Sequence, residues 1–427
     1  MKSDLRKKKE NLFWFVPAFL ASAALLLSSL YWNAGSTVLS QATQPSKLYS
    51  LLVIAKSTTS LWLPAVIIML GFLLEKQLGS LQDLVRQWFY LLIFGLLCLL
   101  IAMFGFQVYS LNKFYIVSMP IIRNAYPLIS GILLAQLLQP FFVQLYRLKK
   151  PAVVAEEVII FLAAVALIPT LFNSDLFGFS GGYSLLFGCY AYLLGVALAK
   201  FIQLKKISVK PVKLIWLTGL SWLASVVLNG LMPYISYASS ISLGTASRFV
   251  APSSFLNLLT AVFLWLSIWA LFKKNFQKFS TFEKRRLLYQ ILGTLIIATG
   301  YPVCGTILNI NSTWNPQQLG KIKLLLALIE ALILPIIIML INFGLDRLVK
   351  KIGSGFGWSQ KLTLVTAALK NYRQLPSKLA VFLKVRRRSL LVFGWFLMVA
   401  AVSMLVMNTS WNISPSTALT TNIFVYT

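Results

Sequence analysis

Read as a pattern of apolar and polar positions, the chain is a series of long apolar runs separated by short polar segments. Most runs have about the 20 residues that a helix needs to cross a ~30 Å hydrocarbon layer. They occupy roughly residues 12–31, 50–74, 88–109, 125–145, 152–172, 181–203, 213–232, 253–272, 287–308, 322–343 and 389–408. The expected fold class is therefore all-α, a polytopic membrane helix bundle with about eleven transmembrane helices. The polar/apolar alternation of an outer-membrane barrel is absent from the sequence. The first run has span length and no small-residue cleavage site, so it reads as a retained helix. Residues 1–345 are expected to form the bundle and 346–388 a basic cytoplasmic segment. The last stretch, 389–427, reads as a final helix with an external tail too short for a soluble domain.

Charge orients this pattern. Lys2, Arg6, Lys7, Lys8 and Lys9 precede the first run. With that end inside, only Lys47, Lys113, Arg123, Arg248 and Lys321 fall on outside segments, and Lys56 and Lys323 within spans. The remaining bases are all cytoplasmic, which predicts an N-in/C-out protein of the cell membrane. The net charge of +29 is thus a topology signal, and nucleic acid is not an expected partner. In "SQKLTLVTAALKNYRQL", Leu362, Val365, Leu369 and Tyr372 recur at helical spacing beside Lys361, Lys370 and Arg373. That suits a helix lying on anionic membrane lipids, or a basic linker running to Arg386, Arg387 and Arg388.

Composition narrows the chemistry. The chain is 58% hydrophobic, 11% charged and has no histidine. Ser-His-Asp and Cys-His catalysis and histidine metal sites are excluded. Cys98, Cys189 and Cys304 fall in apolar runs at no metal spacing and read as small core residues. No metal and no cofactor is expected. "GSGFG" at 353–357 meets neither phosphate-loop spacing and reads as a turn. Asn-x-Ser/Thr triplets begin at Asn311, Asn408 and Asn412, all on the outside face.

Charges inside spans mark functional candidates. Lys56 in the second run and Glu330 in the tenth both lie roughly 9–12 Å below the outer boundary at a rise of 1.5 Å per residue. Equal depth and opposite charge make them a candidate intramembrane pair, either lining a cavity or neutralising one another. Lys56 alone would snorkel outward. Arg123, Asn124 and Asp175 are outer-face polar candidates. Pro127 suits a first helical turn and Asn124 its N-cap.

Three ordered stretches carry a resemblance. "YIVSMPIIRNAYPLISGILLAQLLQPFF" leads an asparagine, an aromatic and a proline into a span closed by Pro140 and Phe141. "GFSGGYSLLFGCYAYLLGVALAK" passes Gly-Gly-Tyr-Ser into a span with a Tyr-Leu-Leu-Gly exit. "APSSFLNLLTAVFLWLSIWALFKKNFQKFS" runs from a Pro-Ser-Ser start to a Phe-Lys-Lys end. Over about residues 50–345 the set resembles the acyltransferase 3 family, integral-membrane acyltransferases of cell-surface glycans.

The resemblance implies a bundle of about ten membrane helices, sometimes with an eleventh. It implies transfer of an acyl group from cytoplasmic acyl-CoA to a hydroxyl, commonly on a sugar. It also implies an early histidine as base or relay, supported by an arginine–serine motif near the second span. The chain departs there. In "STTSLWLPAVIIMLGFLL", Pro64 and Gly71 match, but Ser60 stands about where arginine is expected and Leu70 where serine is. "NLFWFVPAFLASAALLLSSLYW" offers no replacement base, and "GTLIIATGYPVCGTILN" lacks the family's Tyr-Leu-Ile-His span end.

The leading expectation is a non-catalytic or atypical relative acting in acyl modification or assembly of cell-surface polysaccharide. Its expected partners are membrane lipids and either a partner transferase chain or a lipid-linked glycan. A second expectation is a transporter or flippase for a lipid-linked or anionic solute, built on Lys56, Glu330 and the intramembrane prolines Pro64 and Pro335. A third is an active acyltransferase with a rebuilt, histidine-free site, in which Glu330 is the weak candidate base and acyl-CoA the donor.

Overall fold

Apolar runs become helices here because a helix satisfies its own backbone polar groups, which a hydrocarbon environment cannot do. The computed structural model describes residues 15–27, 47–75, 81–106, 126–147, 151–167, 170, 178–205, 210–238, 249, 251–277, 279–299, 329 and 331–345. Among these no strand occurs. The helices are α1 (Phe15–Leu27), α2 (Lys47–Ser60), α3 (Trp62–Leu74), α4 (Leu81–Phe106), α5 (Pro127–Arg147) and α6 (Pro151–Leu162). They continue with α7 (Leu185–Lys205), α8 (Pro211–Ala238), α9 (Phe255–Gln277), α10 (Thr281–Thr299) and α11 (Ala331–Leu345). Five segments are long and apolar enough to cross a membrane: Val53–Leu74, Asp83–Ile101, Leu185–Gln203, Pro211–Met232 and Phe255–Phe276. Phe15–Leu27, Pro127–Val143 and Ala331–Leu345 are shorter apolar helices. The basic segment 346–388 and the run at 389–408 lie outside the described residues.

Local sequence explains several helix ends. Pro127 opens α5, where its missing N–H costs no bond. The capping position is Tyr126, whose carbonyl accepts from the Ser130 amide at 2.9 Å, two residues later than the asparagine expected there. Ser184 caps α7 by accepting from the Phe187 amide at 3.1 Å. Just before it, Gly181 and Gly182 have φ of 64° and 108°, which only glycine adopts without strain. "STFE" forms a reciprocal capping box at the start of α10. The Ser280 amide donates to Glu283 Oε2 at 2.8 Å and the Glu283 amide to Ser280 Oγ at 3.2 Å. Pro64 cannot donate to the Ser60 carbonyl, which marks the α2–α3 junction at Leu61, but Leu61 keeps helical dihedrals (φ -66°, ψ -22°) and Val53–Leu74 runs on as one span. Pro335 leaves no such junction, since α11 continues through it to Leu345.

The core is organised around α7, which packs most closely on α5 and α3. Both crossings use reciprocal glycines. A Cβ on Gly188 would strike the Leu128 carbonyl oxygen, and one on Gly131 the Leu185 carbonyl oxygen. At the second crossing, Gly195 faces the Ile68 carbonyl and Gly71 the Tyr192 carbonyl. Each glycine thus lets its helix settle directly on the partner's backbone, the way small residues bring helices together in membranes. On its other side α3 meets α9 through rings, with Phe72 edge-on to Trp265 and Trp269 at centroid distances of 5.5 and 5.6 Å.

Two further seams complete the arrangement. α8 lies against α2 and α9 and leaves Trp216, Leu220, Leu223 and Leu231 exposed, a face that suits lipid contact. α10 joins α1, α4 and α11 through buried polar bonds. Gln290 Nε2 donates to the Pro335 carbonyl at 2.9 Å, Thr294 Oγ1 to Ser22 Oγ at 2.9 Å, and Asn342 Nδ2 to Gln290 Oε1 at 3.0 Å. Tyr90 of α4 donates to Asn342 Oδ1.

Replacing Gly195 or Gly188 by leucine should cost about 1–3 kcal/mol or more, because the new side chain meets backbone that has no room to yield. Gly219→Ala, whose Cβ enters open space, is expected to be tolerated. Thermal unfolding and monodispersity of the purified protein in detergent check this. Equal behaviour of all three variants would contradict the packing described.

Candidate functional site

Two buried polar constellations stand at opposite ends of α3. The first surrounds the junction with α2 at Leu61. α2 and α8 meet in register: Ser50 with Tyr234 at 3.1 Å, Ile54 over Gly230, and Ser57 with Ser225 and Asn229. Ser57 and Ser225 share a bond of 3.0 Å, and Ser225 Oγ donates to Asn257 Oδ1 of α9 at 3.0 Å. Asn257 Nδ2 donates to Ser60 Oγ and to the Ala251 carbonyl, both at 2.9 Å. Asn229 Nδ2 donates to Ser57 Oγ at 2.6 Å and to the Phe249 carbonyl at 3.4 Å. Ser254 Oγ also donates to that carbonyl, at 2.8 Å.

The donors and acceptors impose one direction on this chain. Since the Ser225 hydroxyl is committed to Asn257, the Ser57 hydroxyl donates to Ser225. One polar atom remains over, because Asn229 Oδ1 is buried with no hydrogen-bond partner. Reversing the amide would face that oxygen toward the Phe249 carbonyl, so the orientation is set by its surroundings.

Lys56 belongs to this region. It precedes Ser57, stands one helical turn before Ser60, and is only 5% exposed, so it does not snorkel to solvent. The other sequence-derived candidates, Glu330, Arg123, Asn124 and Asp175, lie outside the described residues. So do the asparagines of the three triplets and "GSGFG".

The second constellation closes the far end of α3, about 22 Å of helix rise from Ser60. Glu75 and Lys200 form a buried ion pair. Gln203 Nε2 donates to Glu75 Oε2 at 2.7 Å, and Lys200 also reaches Gln203 Oε1 at 3.3 Å. Gln139 of α5 holds the end of α3 by donating to the Leu74 and Glu75 carbonyls at 2.8 and 3.0 Å. It accepts in turn from the Tyr192 hydroxyl at 2.9 Å. Three helices are tied together through one glutamine.

The ion pair escaped the sequence reading. Lys200 lies near a span end and reads there as an ordinary cytoplasmic base, and no spacing rule links positions 75 and 200. The serine–asparagine cluster left a better trace. Asn229 and Asn257 are amides within apolar runs, each costly unless paired across helices.

Chemically, the first constellation offers hydroxyls, amides and one ammonium. Among the described residues it holds no carboxylate and no imidazole. No group of three metal-ligating side chains gathers among the described residues. The chain matches no family model, no curated protein and no solved structure. The class that fold and site define is an all-helical protein, over the described residues, with helices long and apolar enough to cross a membrane.

Breaking the Glu75–Lys200 pair from one side should be severe. Glu75→Gln or Lys200→Met alone is expected to lose about 3–5 kcal/mol, because a buried charge is left without its partner. The double variant should recover part of that loss. Thermal unfolding of the four proteins gives the coupling, and additive losses would show that the pair is not an energetic unit.

Proposed function

We propose that this chain is a multi-pass cell-membrane protein, N-in/C-out with about eleven spans, resembling acyltransferase 3 proteins. In this reading it is a non-catalytic or atypical relative that acts in acyl modification or assembly of cell-surface polysaccharide. One observation carries the reading: the helices that bear the three stretches belong to one packed unit, α5 on α7, α7 on α3 and α3 on α9, beside a cluster with no imidazole and no carboxylate among the described residues. "QPFF" lies in α5, "GGYS" leads into α7 and "APSS" into α9. The last two lead-ins touch, since a Cβ on Gly182 would come within 2.7 Å of Pro252 Cβ and 3.1 Å of the Ser253 amide nitrogen. Thr170 Oγ1, just upstream, accepts from the Phe255 amide at 3.1 Å.

Ser60, at about the position where the resemblance leads one to expect arginine, is bonded to Asn257. Lys56 supplies a cation one turn earlier. Binding a glycan without transferring an acyl group fits this substitution of hydroxyls and amides for the missing histidine and arginine–serine motif. Any acyl transfer would come from a partner transferase chain. Acyl-CoA would enter only in an active form of the protein, with Glu330 as its base.

Transport is the second reading, and the proline at the α2–α3 junction favours it. One backbone bond is missing there beside a buried polar cluster, with a separate buried ion pair at the far end of α3, and such a point is where a helix can bend in alternating access.

Mass spectrometry of ester-linked acyl groups on surface glycans tests both readings, comparing cells with the gene deleted and restored. The proposal predicts fewer esters on deletion and full recovery with wild type and with Glu330→Gln. Recovery by wild type alone, at equal expression, would indicate a rebuilt active site. Esters that never change would reject the acylation reading. Transport would then have to appear as solute uptake or lipid flipping that is lost when the charges of both Lys56 and Glu330 are removed.

A further inference from the structure

α4 and α10 run side by side in the same direction, and the start of their shared seam is basic. Tyr90 stacks on Tyr289 at a centroid distance of 4.9 Å, and its hydroxyl donates to the Tyr289 carbonyl at 3.0 Å. One turn further along, a Cβ on Gly293 would come within 3.3 Å of the Phe94 ring. One turn back from the tyrosines stand Arg86 and Arg285, and both approach the same oxygen, Asp83 Oδ1, at 3.9 and 2.9 Å. We propose that this end of the seam binds the headgroup of an anionic phospholipid, with the guanidiniums of Arg86 and Arg285 on its phosphate. This rests on the reading of the chain as membrane-spanning and on no role in acylation.

Depth and charge both select that ligand. Asp83 opens the membrane-crossing segment Asp83–Ile101, and Arg86 follows it by about 4–5 Å of helix rise, which is headgroup depth. Arg286, next in sequence to Arg285, lies over the Phe282 and Phe343 rings at 4.3 and 5.6 Å, and both rings are exposed. Basic groups beside exposed apolar rings suit the boundary between headgroups and acyl chains. The local balance is positive, with Arg86, Lys284, Arg285 and Arg286 against Asp83 and Glu283. Glu283 is committed to the Ser280 cap.

Asp83 holds together two like charges that would otherwise repel, and it offsets only one of them. Exposed ion pairs add little to stability, and the Arg86 and Arg285 side chains are 41% and 40% exposed, so stability alone does not account for the arrangement. A guanidinium carries more N–H donors than one carboxylate oxygen can occupy, and its planar fork matches phosphate oxygens. The trio keeps one net positive charge for its ligand. A phosphodiester with a neutral headgroup, as in phosphatidylglycerol, supplies one negative charge. Phosphatidylcholine presents the same phosphate together with a quaternary ammonium that the cluster repels.

Native mass spectrometry of the full chain released from detergent micelles tests this, with phosphatidylglycerol and phosphatidylcholine titrated separately. Phosphatidylglycerol should bind more tightly. Arg86→Gln/Arg285→Gln should bring the two lipids together, with a loss of about fivefold per arginine removed. Arg86→Lys/Arg285→Lys should keep a preference for phosphatidylglycerol, which separates loss of charge from misfolding. Lys273→Gln/Lys274→Gln removes the same charge from the exposed end of α9 and should leave the preference as in wild type.

Equal binding of the two lipids by wild type would overturn the assignment. So would a preference that survives in Arg86→Gln/Arg285→Gln, or one lost equally in the α9 variant, which would make it a response to net charge. Displacement of the lipid by glycerol phosphate at matching concentration would assign the guanidiniums to a soluble phosphate and reject the lipid. Alkaline carbonate extraction of membranes checks the underlying reading. Release of wild type would reject the spanning chain and this site together, whereas retention without a lipid preference would reject the site alone.

Discussion

Everything in this fold that depends on precise helix placement depends on how closely α7 can approach its neighbours. Apolar side chains on adjacent membrane helices gain little from water exclusion, because lipid tails are equally apolar, so packing and polar bonds must hold the helices. Four glycines in reciprocal pairs remove the side chains that would separate α7 from α5 and α3. That approach lets Gln139 reach the end of α3 and Tyr192 at once. It also brings Glu75 to Lys200 and Gln203. With α3 fixed on α7, its outer side is free for the Phe72–Trp265–Trp269 ring cluster, which positions α9. The serine–asparagine cluster then follows, since Asn257 of α9 and Ser225 of α8 can meet α2 only when α9 is so placed.

The sequence disclosed the helices and the prolines more readily than it disclosed their partners. Hydrophobic run length locates a span because the thickness of hydrocarbon is fixed, and Pro127 marks a helix start by its own chemistry. The N-cap was not, because Asn124 has the better capping side chain while the helix begins one residue after Tyr126. Pairings were harder still. Nothing local distinguishes Lys200 from the other bases near span ends, and Glu75 meets it only through tertiary packing. Lys56 was identifiable because a charge within a span is rare, and its burial agrees with that. The amides of its neighbourhood carried the same signal in weaker form.

Function follows from what the clusters contain. Hydroxyls, amides and an ammonium can recognise a ligand by geometry and charge, and without histidine there is no imidazole to carry a proton near neutral pH. The satisfied Gln290–Asn342–Tyr90 seam between α10, α11 and α4 shows the contrasting case. There the polar groups are spent on joining helices, whereas Asn229 Oδ1 is buried with no hydrogen-bond partner.

The central claim is that α2, α8 and α9 bring Ser57, Ser60, Ser225, Asn229 and Asn257 into one buried cluster. Cysteine cross-linking in intact membranes tests it most directly, with Cys98, Cys189 and Cys304 first replaced by serine. The paired variant Ser57→Cys/Ser225→Cys, whose native oxygens lie 3.0 Å apart, should form an intrachain disulfide on mild oxidation. Pairing Ser57→Cys with Gly219→Cys should not. Cross-linking at comparable rates in both pairs, or in neither, would contradict this arrangement of α2 and α8.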